Sequence, residues 1–197
     1  AYTALPDDIV ARKAENLTIS DQAINAYAER YVTLLGSASL AGLKVGVYQH
    51  SSVARDLLTK VIDALGAKTI ALGRSDVFVP VDTEALRPED VSLLAKWASE
   101  NHFDAIVSTD GDADRPLIAD EHGHFIRGDL VGAITAAWAG ADVIVTPVTS
   151  NTALEECGKF TRVLRTRVGS PYVITGMQQA LSESANSVVG FEANGGV

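Results

Sequence analysis

The sequence predicts an α/β protein made of two consecutive α/β domains, each a mainly parallel mixed sheet with helices on both faces. Short apolar segments typical of buried strands alternate with longer segments whose apolar residues recur at helical spacing. This alternation favours right-handed crossovers between parallel strands. Residues 103–112 are also faintly echoed by residues 140–150, which indicates that a second, related α/β unit follows the first.

The first part of the sequence predicts three helices, each followed by a strand. Apolar residues share one face in each helical segment, Gly66 ends the second helix, and Pro88 suits the first turn of the third. The predicted elements are a helix over 21–35, a strand over 44–48, a helix over 54–65, a strand over 68–72, a helix from about 88, and a strand over 104–108.

The second part begins with a hairpin and then returns to the alternating pattern. The predicted elements are a hairpin over 117–126, helices over 129–140, 150–158 and 172–184, and strands over 142–146, 161–165 and 187–191. We place the domain boundary near Arg127 and Gly128. The expected domains are therefore a metal-binding domain over 1–127 and a second α/β domain over 128–197.

Composition excludes several classes of partner. The chain has 197 residues, 47% of them hydrophobic, and its 16 Lys and Arg against 25 Asp and Glu give a net charge of −9. This balance argues against nucleic acid and against a polybasic membrane surface. The apolar stretches are well short of the ~20 residues that a bilayer requires, so no membrane partner is expected. A single cysteine, Cys157, and the lack of an apolar leader favour a cytoplasmic protein.

An acidic loop, residues 110–115, follows the strand predicted over 104–108. Its aspartates, Asp110, Asp112 and Asp114, stand at alternate positions, so that their side chains can converge in a turn. Ligands of open α/β sheets bind at the carboxyl ends of strands, which is where this loop lies. Converging carboxylates supply the hard oxygen ligands that Mg²⁺ or Ca²⁺ prefers. The sequence therefore predicts a divalent cation site here, in preference to a solvated acidic turn.

Two other chemistries fit part of the acidic loop. A calcium hand would place glycine at its sixth position, where this chain has Arg115, so we discount it. An aspartyl-phosphate enzyme resembling the haloacid dehalogenase-type phosphatases would use Asp110 as nucleophile and Asp112 as acid. That pattern expects threonine or valine where Asp114 stands. The aspartyl nucleophile stays open as an alternative, as does a noncatalytic metal-binding domain.

Three motifs, in order, resemble those of the α-D-phosphohexomutases, the family of phosphomannomutase and phosphoglucomutase. The string TDGDADR (109–115) resembles their metal loop, RTRVG (165–169) the basic turn of their third domain, and GFEANGG (190–196) their sugar loop. The segment IRGDLVGAI (126–134) is similar to the one that opens their third domain. The resemblance covers the chain from about Leu40 onward.

The resemblance implies transfer of a phosphoryl group between O1 and O6 of a phosphorylated hexose, with mannose favoured over glucose. The family reaction passes through a phosphoserine and a bisphosphorylated sugar. The three aspartates would hold Mg²⁺, Arg115 would contact the phosphate, and Arg167 would act as a fixed cation near the reacting group. Glu192, Asn194 and Gly195 would bind the sugar. Taken alone, Glu192 and Asn194 could equally cap a turn, and Arg167 could lie on a solvated strand face.

The departures from the family pattern predict a fragment. The family's phosphoserine loop, T-A-S-H-N-P, and its phosphate-gripping R-x-S-G-T-E-P loop are absent from the sequence. We therefore expect the second and most of the third domain of a longer mutase, inactive without the first and fourth domains of the same parent chain. The turn His50-Ser51-Ser52 replaces a glycine-rich one and has no assigned role. Ser51 or Ser52 is expected to cap a helix, and His50 to lie at the surface or in a turn.

Overall fold

The computed structural model describes residues 20–197 and confirms the predicted α/β fold class. The described chain contains two separate sheets, one of five strands and one of three. Its elements are α1 (Gln22–Leu35), β1 (Lys44–Tyr48), α2 (Arg55–Ala64), β2 (Lys68–Leu72), α3 (Pro88–Asn101), β3 (Ala105–Thr109), β4 (Pro116–Ala119), β5 (Phe125–Ile126), α4 (Gly128–Trp138), β6 (Val143–Pro147), α5 (Ala153–Glu156), β7 (Arg162–Thr166), α6 (Ser170–Ser182) and β8 (Val188–Gly190).

The five-stranded sheet has the order β2-β1-β3-β4-β5. Strands β1, β2 and β3 run parallel, while β4 and β5 form the antiparallel hairpin that the sequence predicts. Side chains of β1 alternate between two cores. Tyr48 packs with Leu94 of α3 on one face, and Val47 packs with Ile62 of α2 on the other. Helices therefore cover both faces, because each face of the sheet is apolar.

The three-stranded sheet has the order β7-β6-β8 and is entirely parallel. Ile144 of β6 packs in a cluster with Ala136 of α4 and with Phe191, while α6 packs on the opposite face of the sheet. The central strand β6 is buried along its whole length. This burial explains its continuous apolar sequence, since a parallel strand covered on both sides has no polar face.

Gly128, at the start of α4, lies against a glycine-rich loop formed by residues 192–196. A Cβ added at Gly128 would lie 2.3 Å from the backbone nitrogen of Gly195 and 2.5 Å from the carbonyl oxygen of Ala193. The glycine-rich loop also lies against β4, because a Cβ added at Gly195 would lie 3.0 Å from the ring of Pro116, the first residue of that strand. The glycine-rich loop therefore contacts both the start of α4 and the strand that follows the acidic loop.

One predicted helix differs from the structure. The helix predicted over 150–158 is reduced to α5, because Pro147, Ser150 and Asn151 form a loop whose carbonyls accept hydrogen bonds from Arg165. Cys157, the single cysteine of the sequence, follows α5 and is exposed. Among the described helices, none has both the length and the apolar character needed to cross a membrane.

Candidate metal centre

The acidic loop connects two hydrogen-bonded strands, so both of its ends are fixed. Thr109 and Pro116 are register partners at the ends of β3 and β4. Inside this pair, the backbone N–H of Asp110 donates to the carbonyl of Arg115 at 3.1 Å, and the N–H of Arg115 donates to Asp110 Oδ1 at 3.2 Å. Ala113 reverses the chain between them in the left-handed region, with φ 66°.

The structure brings the three predicted metal ligands together. Asp110, Asp112 and Asp114 each offer a carboxylate oxygen, and these oxygens lie within 4.8 Å of one another. Asp110 is buried at the base of the loop, whereas Asp112 and Asp114 are exposed. The group therefore has one anchored carboxylate and two that can adjust to a ligand at the surface.

The electrostatics of the acidic loop suit a divalent cation. Burial raises the pKa of Asp110, and its contact with the Asp114 carboxyl and the charge of Asp112 raise it further. These effects outweigh the backbone hydrogen bond from Arg115, which lowers it. The three carboxylates therefore carry a local excess of negative charge, and hard oxygen ligands in this arrangement fit Mg²⁺.

Among the ion pairs of the described residues, Arg115 is the cation that lies nearest to these carboxylates. Its guanidinium lies 3.6 Å from Asp114, 3.9 Å from Asp110 and 4.0 Å from Glu84. These are long ion pairs, and the side chain is 37% exposed. Arg115 is therefore held near the carboxylates while its planar donor group can still bind an anion in front of them.

The glycine-rich loop is closed by its own hydrogen bonds. The N–H of Glu192 donates to the carbonyl of Gly196 at 2.9 Å, and the N–H of Gly195 donates back to Glu192 at 3.0 Å. Asn194 Oδ1 accepts from the N–H of Gly196 at 2.9 Å, which is the turn-capping contact that the sequence left open. Glu192 Oε1 accepts from the N–H of Gly169 at 3.1 Å and so joins this loop to the turn after β7.

The arginines of β7 and of the turn that follows have different environments. Arg165 donates to Pro147, Ser150 and Asn151 carbonyls and to Glu155, so it stabilises the loop after β6. The guanidinium of Arg167, by contrast, lies 5.8 Å from the centre of the Tyr172 ring, a cation–π contact. Of the two, Arg167 is the one not committed to the backbone of a neighbouring loop.

The turn after β1, residues 50–53, lies beside the candidate site, and the sequence did not predict this. His50 lies in this turn, as expected, but it is fully buried, and its Nε2 is 2.8 Å from the carbonyl of Thr109. The expectation that Ser51 or Ser52 caps a helix is wrong, because Ala54 is the N-cap of α2. Ser52 contacts Thr109 instead. No signal in the sequence placed this turn beside the acidic loop, since the contact depends on β1 and β3 being adjacent.

Comparison with known families identifies both parts of the chain. The pattern of phosphoglucomutase/phosphomannomutase α/β/α domain II matches residues 24–123, and that of α/β/α domain III matches residues 127–197. The chain belongs to the phosphoglucomutase/phosphomannomutase family. Membership in this family does not favour the aspartyl-phosphate alternative.

Individual family members agree with this assignment. A phosphomannomutase of Sinorhizobium fredii is 53% identical over 178 residues, which is 90% of this chain and 37% of that protein. A phosphomannomutase of Salmonella muenchen is 45% identical over 93% of this chain and 38% of its own length. The crystal structure of a phosphoglucomutase/phosphomannomutase family protein from Burkholderia thailandensis superposes with a TM-score of 0.70 at 22% identity, covering 88% of this chain and 38% of that one. The chain therefore spans under two-fifths of the length of these relatives.

Proposed function

We propose that this chain supplies the metal-binding and sugar-binding parts of a phosphohexomutase that interconverts hexose 6-phosphate and hexose 1-phosphate. In this proposal residues 1–127 form the metal-binding domain and residues 128–197 an incomplete sugar-binding domain. The phosphoserine and the remaining phosphate-binding groups come from the first and fourth domains of the same parent chain. The isolated chain is then inactive, and its single cysteine supports a cytoplasmic setting.

The metal site is assigned to Asp110, Asp112 and Asp114 because their oxygens converge at the end of β3. Mg²⁺ bound there would stabilise negative charge on the oxygens of a transferring phosphoryl group. Asp110 would hold the fixed side of the site, because it is buried and bonded to the backbone of Arg115.

Arg115 and Arg167 are assigned catalytic roles, Arg115 at the phosphate of the phosphoserine and Arg167 near the reacting hydroxyl or the phosphate. Arg115 lies beside the carboxylates but is held only by long ion pairs, so its guanidinium can donate to phosphate oxygens. Arg167 lies in the turn that Glu192 joins to the glycine-rich loop, through the bond from Gly169 to Glu192. A fixed cation at this position would orient a phosphate or a reacting hydroxyl next to the sugar.

Glu192, Asn194 and Gly195 are assigned to the sugar. The carboxylate of Glu192 accepts one hydrogen bond from Gly169, and its remaining acceptor capacity suits a pair of sugar hydroxyls. Gly195 has φ 92°, and a Cβ there would meet Pro116, so glycine allows the loop conformation that holds Glu192 and Asn194 in place. The assignment to mannose is supported by the names of the two relatives, both phosphomannomutases.

The convergence of the three aspartates carries this proposal, and Asp112→Asn tests it. We expect the full-length parent protein to convert mannose 6-phosphate to mannose 1-phosphate with Mg²⁺ and a trace of bisphosphorylated hexose, and the variant to lose at least about 100-fold in turnover because a ligand charge is removed. Glu89→Gln is the matched control, since it removes one exposed charge from α3, outside the acidic loop.

The outcomes separate this proposal from its alternatives. Equal turnover by wild type and Asp112→Asn would contradict the metal assignment. Hydrolysis of a phosphoester by the 197-residue chain, abolished by Asp110→Asn, would favour Asp110 as a nucleophile. Mg²⁺ binding without turnover of any hexose phosphate by the full-length protein would favour a noncatalytic metal-binding domain. Glucose 6-phosphate and mannose 6-phosphate in competition would decide the sugar.

A further inference from the structure

The turn after β1 holds a buried histidine in an unfavourable backbone conformation. His50 is fully buried and has φ 25°, outside the regions that residues with a side chain ordinarily adopt. Its ring packs against Tyr48, with the ring centres 5.0 Å apart. Glycine would adopt this conformation without strain. The strain at His50 must therefore be compensated by the contacts of its side chain.

The contact that His50 makes is with the residue before the acidic loop. Its Nε2 lies 2.8 Å from the carbonyl oxygen of Thr109. A carbonyl only accepts, so Nε2 carries the hydrogen and the ring is in its Nε2–H form. Nδ1 has no partner and is buried, and burial lowers the pKa of His50. The ring therefore acts as a neutral donor fixed in one tautomer.

Ser52 makes a second connection, through a directed chain of hydroxyls. The N–H of Ala54 donates to Ser52 Oγ at 3.1 Å, and Ser52 Oγ lies 2.7 Å from Thr109 Oγ1. Thr109 Oγ1 donates to the carbonyl of Asp110 at 2.8 Å, so its lone pair is free to accept from Ser52. Every group in this series of hydrogen bonds has a consistent role as donor or acceptor, which strengthens each bond.

A third bond extends the contact into the acidic loop. The N–H of Val53 donates to the carbonyl of Gly111 at 3.1 Å. Three donors of the turn after β1 therefore bond to the segment Thr109–Gly111. His50 Nε2 bonds to the Thr109 carbonyl, Ser52 Oγ to the Thr109 hydroxyl, and the N–H of Val53 to the Gly111 carbonyl. Ser51 contributes to none of these bonds, because its hydroxyl bonds to Val79 instead.

We propose that His50 and Ser52 are positioning residues that hold Thr109–Gly111 in place and so pre-form the cation site of Asp110, Asp112 and Asp114. The proposal rests on the metal site assigned above. Groups that orient metal ligands raise the affinity for the ion, because a site that is already ordered loses less conformational entropy when the ion binds.

Mg²⁺ titration of the 197-residue chain by calorimetry tests the role of His50. His50→Phe keeps a ring against Tyr48 and removes the donor, and we expect it to weaken Mg²⁺ binding about tenfold. His50→Gln places an amide N–H as many bonds from the backbone as Nε2, so it should restore most of the affinity. A residue that only fills the core would give the opposite ranking, because phenylalanine preserves packing better than glutamine.

Ser52→Ala and Ser51→Ala give a second test that does not depend on His50. Each removes one hydroxyl from adjacent positions, but only Ser52 bonds to Thr109. We expect Ser52→Ala to weaken Mg²⁺ binding several-fold, about 3–10-fold, and Ser51→Ala to leave it unchanged. This pair answers the question even if His50→Phe does not fold.

The failure of this inference is distinguishable from the failure of the proposed function. Wild type that binds no Mg²⁺ would overturn the metal site itself, and the positioning role with it. Wild type that binds Mg²⁺ while His50→Phe and Ser52→Ala bind equally well would overturn the positioning role alone. Weakening by His50→Gln as large as that by His50→Phe would also contradict it.

Discussion

Asp110 is the buried member of three converging carboxylates, and its environment disfavours its charged form. Burial and the neighbouring Asp114 raise its pKa. For a carboxyl whose pKa is raised by folding, stability is lost as pH rises through that pKa, because the folded state must then carry the charge. Near neutral pH the ionised Asp110 therefore destabilises the metal-free chain.

We expect Asp110→Asn to raise the melting temperature of the metal-free chain at pH 7 by about 2–4 °C, or ~1 kcal/mol. Asparagine keeps an oxygen to accept from the N–H of Arg115 but carries no charge. Mg²⁺ should stabilise wild type and leave the variant unchanged. Melting curves with and without Mg²⁺ check both effects, with Glu89→Gln as the charge control. A lower melting temperature for the metal-free variant would contradict this prediction.

Residues whose role depends on local sequence were predictable, and those whose role depends on packing were not. The alternate spacing of Asp110, Asp112 and Asp114 was visible in the sequence, and the structure brings their oxygens together. Their assignment as ligands stays a prediction. His50 gave no such signal, because its partner Thr109 lies on a strand that becomes its neighbour only when β1 pairs with β3.

At the scale of elements, the start of α4 and the glycine-rich loop must fit together without side chains. We expect Gly128→Ala to destabilise the chain by roughly 1–3 kcal/mol, because its Cβ would overlap the backbone of Ala193 to Gly195, which cannot move aside. Gly111→Ala is the control, since its Cβ would meet only the Phe78 ring, at 3.7 Å. Denaturant unfolding measures both variants, and equal stability of the two would contradict the close fit.

The strands were predicted to within about one residue, whereas the bounds of α4 and α6 differ from the prediction by up to two residues and those of α5 by up to three. Strands β1 and β2 have the predicted bounds because continuous apolar runs end abruptly at polar or glycine residues. The segment after β6 had helical spacing, but the loop before α5 is held by five hydrogen bonds of Arg165, three to carbonyls and two to Glu155. Such long-range side-chain contacts override local propensity and are not visible in a window of sequence.

At the scale of the whole molecule, carboxyl groups with lowered pKa values link stability to pH. Hydrogen bonds from neighbouring groups lower the pKa of several carboxyls, among them Asp56, Asp142, Glu155 and Glu183. Asp129 is the fully buried case. Burial alone would raise its pKa, but hydrogen bonds from Arg127 and from the N–H of Asn151 lower it overall.

The chain should therefore lose stability in acid. A carboxyl with a lowered folded pKa stabilises the protein above its unfolded pKa, about 4, and this stabilisation is lost as pH falls through the folded value. We expect the melting temperature to fall between about pH 5 and pH 3, and Asp129→Asn to make that fall shallower while costing about 1–3 kcal/mol at pH 7. Thermal melts across this range measure both, and an unchanged slope in the variant would contradict the role of Asp129.

The pairing of Thr109 with Pro116 also limits how the length of the acidic loop can change among related sequences. A deletion or insertion between them that slides β4 by one position along β3 would break this register. A slip of one residue reverses the facing of every side chain in a strand, so Leu117 and Ala119, both fully buried, would be turned out of the core. Substitutions in the acidic loop leave the pairing of β3 with β4 in place, whereas changes of length that shift this pairing damage the core. Alignments of functional homologues should therefore contain no gaps between these two strands.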